Sequence, residues 1–226
     1  ATVKDEDFIE KLFVANSHDT ILCFSSLGKV YWLKVYDIPQ SGRSAKGKAI
    51  VNILSLAQFE KITAIQKISN YDEDLFVLMS TSKGIIKKTK LTEFSRPRPS
   101  GLIAINLKDG DNLIEASVTD GKKQIMLFSS AGKTIRFNES DVNCVGRSAS
   151  GVKGITIAKD QLVISMITSH EGDTDDILIA TENGYGKRTK IDEFSLQKRA
   201  GKGNIAVKTS DRNGNVIGAL KVKEND

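Results

Sequence analysis

The sequence predicts an all-β fold, a propeller-like array of four-stranded units, and three observations predict it. A strand–turn–strand segment is written four times, as LCFSSLGKVYWLK (residues 22–34), VLMSTSKGIIKKTK (77–90), MLFSSAGKTIRF (126–137) and LIATENGYGKRTK (178–190). The turn glycines of these copies, Gly28, Gly84, Gly132 and Gly184, lie 56, 48 and 52 residues apart. A second set, Gly47, Gly101, Gly151 and Gly203, follows the first by 19, 17, 19 and 19 residues. No stretch carries a sustained helical period. A repeat of about 50 residues built from short strands indicates one sheet per repeat in a propeller-like array.

Each unit opens with a short, near-continuous apolar run, at residues 20–24, 75–79, 124–128 and 177–180. Such runs predict strands covered on both faces. A tight turn follows, where glycine supplies the positive φ that a two-residue hairpin requires. The return strands alternate, as in Lys133-Thr134-Ile135-Arg136-Phe137, so their bases are expected to project from one face while the apolar partners pack inward. A third run at 50–54, 103–107, 155–158 and 205–207 and a fourth at 62–68, 113–118, 162–167 and 216–222 complete four strands per unit. The units span about 9–68, 69–118, 119–167 and 168–222, within a single repeat domain over 1–226.

Charge keeps the same period. The net charge of +5 is modest, but acids gather in the links (residues 5–10, 72–74, 171–176 and 224–226) and bases in the turn before each second glycine. Residues 42–48 (GRSAKGK) and 146–153 (GRSASGVK) are near copies, residues 95–101 (SRPRPSG) are stiffened by proline, and residues 197–203 (QKRAGKG) are rich in both bases and glycine. One such turn is an ordinary solvated loop. Four at one structural position predict a basic stripe, in which glycine lets the backbone come close to a phosphate while Arg and Lys supply charge and forked donors. The bases singled out are Arg43, Lys46, Lys48, Arg96, Arg98, Arg147, Lys153, Lys198, Arg199 and Lys202. Lys187 and Arg188 join them from the last return strand, and Lys29, Lys87, Lys88, Lys133 and Arg136 widen the same track. Few aromatic residues accompany these turns, which favours contact with a duplex backbone over stacking on single strands. Neutralising six to eight phosphates would make log K fall with log salt at a slope of about −5 to −7.

Catalytic and metal-binding patterns are missing from the sequence. His18 and His170 sit in polar links, and no nucleophile elbow, Walker loop, HExxH or paired-cysteine motif is present. Cys23 lies inside an apolar strand and Cys144 in a polar turn, so no disulfide is expected. Glu93 and Glu193 belong to a recurring TEF/DEF sequence and read as structural. No apolar run reaches the roughly 18 residues of a membrane span and no leader pattern opens the chain, which favours a cytosolic protein.

These residues resemble the C-terminal domain of the bacterial DNA gyrase A protein. The likeness runs through VANSHDTILCFSSLGKVYWLKVY (14–36), IVNIL (50–54), KKTKLTEF (87–94), IMLFSSAGK (125–133) and TENGYGKRTKIDEF (181–194), and so covers essentially the whole chain. It implies a β-pinwheel, a propeller-like disc whose blades exchange strands, with about four blades present of an expected six. It also implies that duplex DNA is bent around a basic rim in support of ATP-dependent negative supercoiling. ATP and Mg would be bound elsewhere in the enzyme, leaving no cofactor, metal or catalytic residue in this segment. The implied partners are duplex DNA, the rest of the gyrase A protein and the gyrase B protein, in an A2B2 holoenzyme. No membrane is involved, and the location is cytoplasmic and nucleoid-associated. The signature QRRGGKG of the family's first repeat is absent, and the nearest echo, residues 197–203, departs from it at Ala200. The corresponding domain of topoisomerase IV shares the pinwheel with fewer, more degenerate repeats. A protein-binding propeller would instead carry an exposed apolar patch on one disc face.

Overall fold

The computed structural model describes residues 12–42 and 47–223, and among them there is no α-helix and every sheet is antiparallel. Blade 1 consists of β1 (Thr20–Ser25), β2 (Lys29–Lys34) and β3 (Ile62–Ile68). Blade 2 consists of β4 (Phe76–Thr81), β5 (Ile85–Lys90) and, after the two-residue β6 (Leu102–Ile103), β7 (Leu113–Thr119). Blade 3 consists of β8 (Gln124–Ser129), β9 (Lys133–Asn138) and, after β10 (Val152–Lys153), β11 (Val163–Ser169). Blade 4 consists of β12 (Asp176–Thr181), β13 (Gly186–Lys190) and, after β14 (Asn204–Ile205), β15 (Val216–Val222).

The two-residue strands pair with the preceding blade, not with their own. β6 lies on β2, β10 on β5 and β14 on β9, so the first three sheets read β3-β1-β2-β6, β7-β4-β5-β10 and β11-β8-β9-β14. The strand exchange implied by the resemblance is therefore present. The fourth sheet has three strands, β15-β12-β13, and among the described residues nothing pairs with the free side of β13.

The third apolar run departs from expectation, because strand reaches only its first residue, Ile103 or Ile205, in the second and fourth repeats and stops at Lys153, before the run, in the third. The next two residues hang on the preceding blade's hairpin: the amides of Ala104 and Ile105 donate to the Gly28 carbonyl, Gly154 and Ile155 to Gly84, and Ala206 and Val207 to Gly132. Spanning two blades leaves no length for a ladder. The first copy lies on no earlier blade among the described residues, and Ile50–Asn52 forms a 3-10 turn instead.

Successive blades bury their apolar residues against one another. Leu22 and Phe24 of blade 1 meet Val77, Met79 and Phe94 of blade 2, with the Phe24 and Phe94 rings edge-on at 6.0 Å. Leu78 and Ile86 then meet Ile125, Leu127 and Phe137. Met126 and Phe128 meet Ile177, Ile179 and Phe194, with the Phe128 and Phe194 rings edge-on at 6.2 Å. A first strand thus faces both neighbours, which explains its unbroken apolar run. Each such side chain taken fully from water is worth about 2–3 kcal/mol. β3, β7, β11 and β15 pack in series on one another, so the blades converge there and the donated strands lie on the opposite, outer edge.

Candidate nucleic-acid interface

The basic turns of the second, third and fourth repeats are built onto the outer edge of the blade before them. Val145 N–H donates to the Lys88 carbonyl and Gln197 N–H to the Arg136 carbonyl, at equivalent places. Further along each turn, Asn106 N–H donates to the Ala149 carbonyl and Thr156 N–H to Gly201. The turn glycine is required for this approach. Gly151 has φ +85, and a Cβ there would stand 2.6 Å from the Ile86 carbonyl oxygen on the preceding return strand. Blade docking thus already demands Gly151, apart from any approach to phosphate. It likewise demands Gly101, against the Tyr31 ring, and Gly203, against the Thr134 carbonyl, whereas Gly47 has nothing within 4 Å of where its side chain would be.

The arginines of two turns are engaged in the same docking. Arg147 Nη1 donates to the Ile103 carbonyl at 2.8 Å, and Arg199 Nη1 donates to the equivalent Lys153 carbonyl at 3.2 Å. Arg199 Nε also donates to the Asp141 carbonyl at 2.9 Å. Both side chains remain half-buried. The other described turn bases are different: Lys48, Arg96, Arg98, Lys153, Lys198 and Lys202 are exposed, and their side chains make no hydrogen bond or ion pair among the described residues. Arg43 and Lys46 lie outside the described residues. The structure adds Lys90 and Lys190, exposed at the outer ends of β5 and β13 just before the turns. Their recurrence two residues beyond Lys88 and Arg188 was the available signal.

The return-strand bases correct the sequence reading. Lys87, Lys88 and Arg136 are buried, so they do not widen a solvent-facing track. Trp32, Lys88 and Arg136 stand at one repeat position and each donates to a helical turn of the next blade. Trp32 Nε1 reaches the Phe94 carbonyl at 2.9 Å and Lys88 Nζ the Glu139 carbonyl at 3.1 Å, with the Lys88 ammonium 5.4 Å from the Phe76 ring centre. Arg136 Nη1 reaches the Ile191 and Phe194 carbonyls at 2.8 and 3.1 Å, while its Nε and Nη2 grip Gln124 Oε1. A base can be buried here because backbone carbonyls of each short helical turn accept from it, those of Glu139 and Ile191 in addition to the turn's own amide. Arg188, at the same position of blade 4, instead pairs with Asp176 at 2.5 Å and donates to the Lys223 carbonyl.

Lys87 donates to the Ala104 carbonyl at 2.7 Å and to the Arg147 carbonyl, so it pins the base of the third turn. Burial, reinforced by the neighbouring Arg147 charge, pulls its pKa down to about 8. Its counterpart Lys187 is exposed and reaches only the Ala206 carbonyl, at 3.3 Å. Elsewhere, Tyr31 takes the Lys87 position in blade 1 and donates to buried Glu60 at 2.9 Å; burial and that carboxylate push the phenol up to about 12. No group of metal-ligating side chains occurs among the described residues. Cys23 and Cys144 are both free thiols, the first buried and pushed up to about 12, the second exposed. No helix among the described residues is long and apolar enough to cross a membrane.

The family model described as the DNA gyrase C-terminal domain, a β-propeller, matches residues 19–69, 76–120, 123–170 and 175–223. The DNA gyrase A protein of Salmonella typhimurium is 52% identical over 227 residues, covering 100% of this chain and 26% of that protein. Its counterpart from Haemophilus influenzae is 49% identical, with 99% and 28% covered. The chain spans about a quarter of the length of these relatives. Among solved structures, a C-terminal domain of DNA topoisomerase IV superposes with a TM-score of 0.89 at 28% identity, covering 99% of this chain and 69% of that one. A DNA gyrase A C-terminal domain superposes with a TM-score of 0.77 at 28% identity, covering 93% and 68%. The fold is thus common to both enzymes, and the sequence identity lies with gyrase.

Proposed function

The chain belongs to the DNA gyrase C-terminal domain family, and from that premise we propose that it is a non-catalytic segment that binds and bends duplex DNA along its outer edge. One observation carries the reading: six exposed bases without a side-chain partner among the described residues, Lys48, Arg96, Arg98, Lys153, Lys198 and Lys202, recur in the turns of successive repeats, and the last five lie in turns built on the outer edge of the preceding blade. A row of fixed charges that curves with the array meets successive phosphates only if the duplex curves with it. Binding contributed by phosphates carries little sequence information, so easily bent DNA should be preferred. The partners are duplex DNA, the remainder of the gyrase A protein and the gyrase B protein, in an A2B2 assembly at the nucleoid. Cleavage, ATP and Mg belong to those other parts, and 1–226 acts as one repeat domain.

The test is a filter-binding series on a duplex across salt concentrations. Six phosphate contacts give a slope of log K against log salt of about −5. A slope shallower than about −2 would remove the basic edge as the binding surface. A protein-binding propeller is the weaker reading. Its expected apolar patch does occur, at Leu178 and its cross-strand partner Leu220, but these residues occupy the face that every other blade buries against its neighbour.

A further inference from the structure

The turn bases divide into two sets by what they touch, and we infer that Arg147 and Arg199 are positioning residues that fix how each basic turn sits on the preceding blade, and so set the curvature of the DNA track without acting as its phosphate contacts. The inference rests on the DNA-bending reading above and concerns which residues do the bending. Its basis is a contact made twice at the same place. Each arginine lies four residues before its turn glycine, Gly151 or Gly203, and each guanidinium donates to the carbonyl two residues after the preceding turn glycine, Ile103 or Lys153. Those carbonyls belong to β6 and β10, the strands donated to the blade before. One arginine therefore ties three consecutive repeats together. Arg147 of the third repeat holds a strand of the second that is itself paired to the first. Arg199 does the same one step on, and its Nε takes a further carbonyl, Asp141 of the third repeat.

The arrangement suits arginine for a geometric reason. A guanidinium is planar with forked donors, so Arg199 can bridge two carbonyls in fixed directions, whereas a lysine ammonium is a point charge on a flexible stem. Phosphate binding as such would accept either residue. The second repeat offers the contrast, because the equivalent position is Pro97, while Arg96 and Arg98 flank it exposed. There the stiff proline turn replaces the clamp, and both arginines are free for phosphate.

The charge-preserving double variant Arg147→Lys/Arg199→Lys separates the roles, alongside Arg96→Ala/Arg98→Ala. In the lysine variant the salt slope on a short duplex should change by less than about one unit. The DNA bend angle, and the linking-number change on ligating nicked circles with protein bound, should fall by about half, because the track no longer holds its curvature. The alanine pair should do the reverse, losing about two units of slope while keeping the bend per bound molecule. Lysines that retain the full bend and linking-number change would overturn the inference, as would a loss of slope equal to that of the alanine pair. A readout without DNA stands beside these: hydrogen exchange at the amides of Asn106 and Thr156, which the two turns hold through Ala149 and Gly201, should quicken about tenfold in the lysine variant. Unchanged exchange there would also overturn it. Should the unaltered chain fail to bind DNA with salt dependence, the DNA-binding reading falls and the exchange arm still decides the clamp; Arg147→Lys alone serves if the double variant unfolds.

Discussion

Blade 2 and blade 4 carry nearly the same residues on the same strands and use them oppositely. Leu78 and Lys87 are 0% exposed and Lys88 is buried, while Leu178 is 37% exposed and Lys187 and Arg188 are open to solvent. Gly84 packs against the backbone of the following repeat, whereas Gly184 has nothing within 4 Å of where its side chain would be. The difference is whether a following repeat lies on that side. In this architecture burial is a property of the junction between repeats, so a residue's environment is read from its neighbour's sequence as much as from its own.

Removing side chain volume on the two sides of that comparison gives the largest expected effect. Leu78→Ala should cost about 2–5 kcal/mol in a denaturant titration, since the site is closed on every side. Leu178→Ala should cost about 0.5 kcal/mol or less. Equal losses would mean that the open face of blade 4 is covered in solution.

The second contrast exchanges a buried base for an exposed one. Arg136→Met strands Gln124 Oε1 and the Phe194 carbonyl, while the Ile191 carbonyl keeps the Phe194 amide, and about 3 kcal/mol of destabilisation is expected. Arg188→Met breaks one exposed pair with Asp176 and should cost about 0–1 kcal/mol. If both variants weakened DNA binding alike with stability unchanged, Arg136 would belong to the track after all.

Sequence alone carried the array, the hairpins and the basic turns, because glycine spacing and apolar runs are local signals. It misread Lys87, Lys88 and Arg136 for a physical reason. Alternation along a strand says which face a side chain points to, and these strands have a protein neighbour on both faces. The acceptors that make burial tolerable, such as the Glu139 and Phe194 carbonyls, lie about 50 residues further along and leave no mark on the strand. The third run was misread likewise, since its hydrogen bonds go to Gly28, Gly84 and Gly132 in another repeat. One clue was legible. Trp32 shares the repeat position of Lys88 and Arg136, and an indole there already argues for packing over phosphate contact.

The smallest effect tests the chemistry of the buried member of the lysine pair. Lys87 has a pKa of about 8 in the fold, where Glu93 and Cys144 only partly offset its burial and the Arg147 charge. In the unfolded chain a lysine titrates near 10.4. Between those values the unfolded chain holds a proton that the folded one has released, so this group adds to stability as pH rises through the window. Below pH 8 both states are charged and the fold bears the full cost of a buried ammonium. The neutral amine still has two hydrogens for the Ala104 and Arg147 carbonyls, so deprotonation need not release the turn. Lys87→Met removes the titration and leaves both carbonyls without a donor. The stability of the unaltered chain relative to Lys87→Met should therefore grow between pH 8 and about 10.5, on the order of 2 kcal/mol, when both are unfolded by urea. A difference flat across that range would mean that water reaches the ammonium and that this junction is looser than its hydrogen bonds imply.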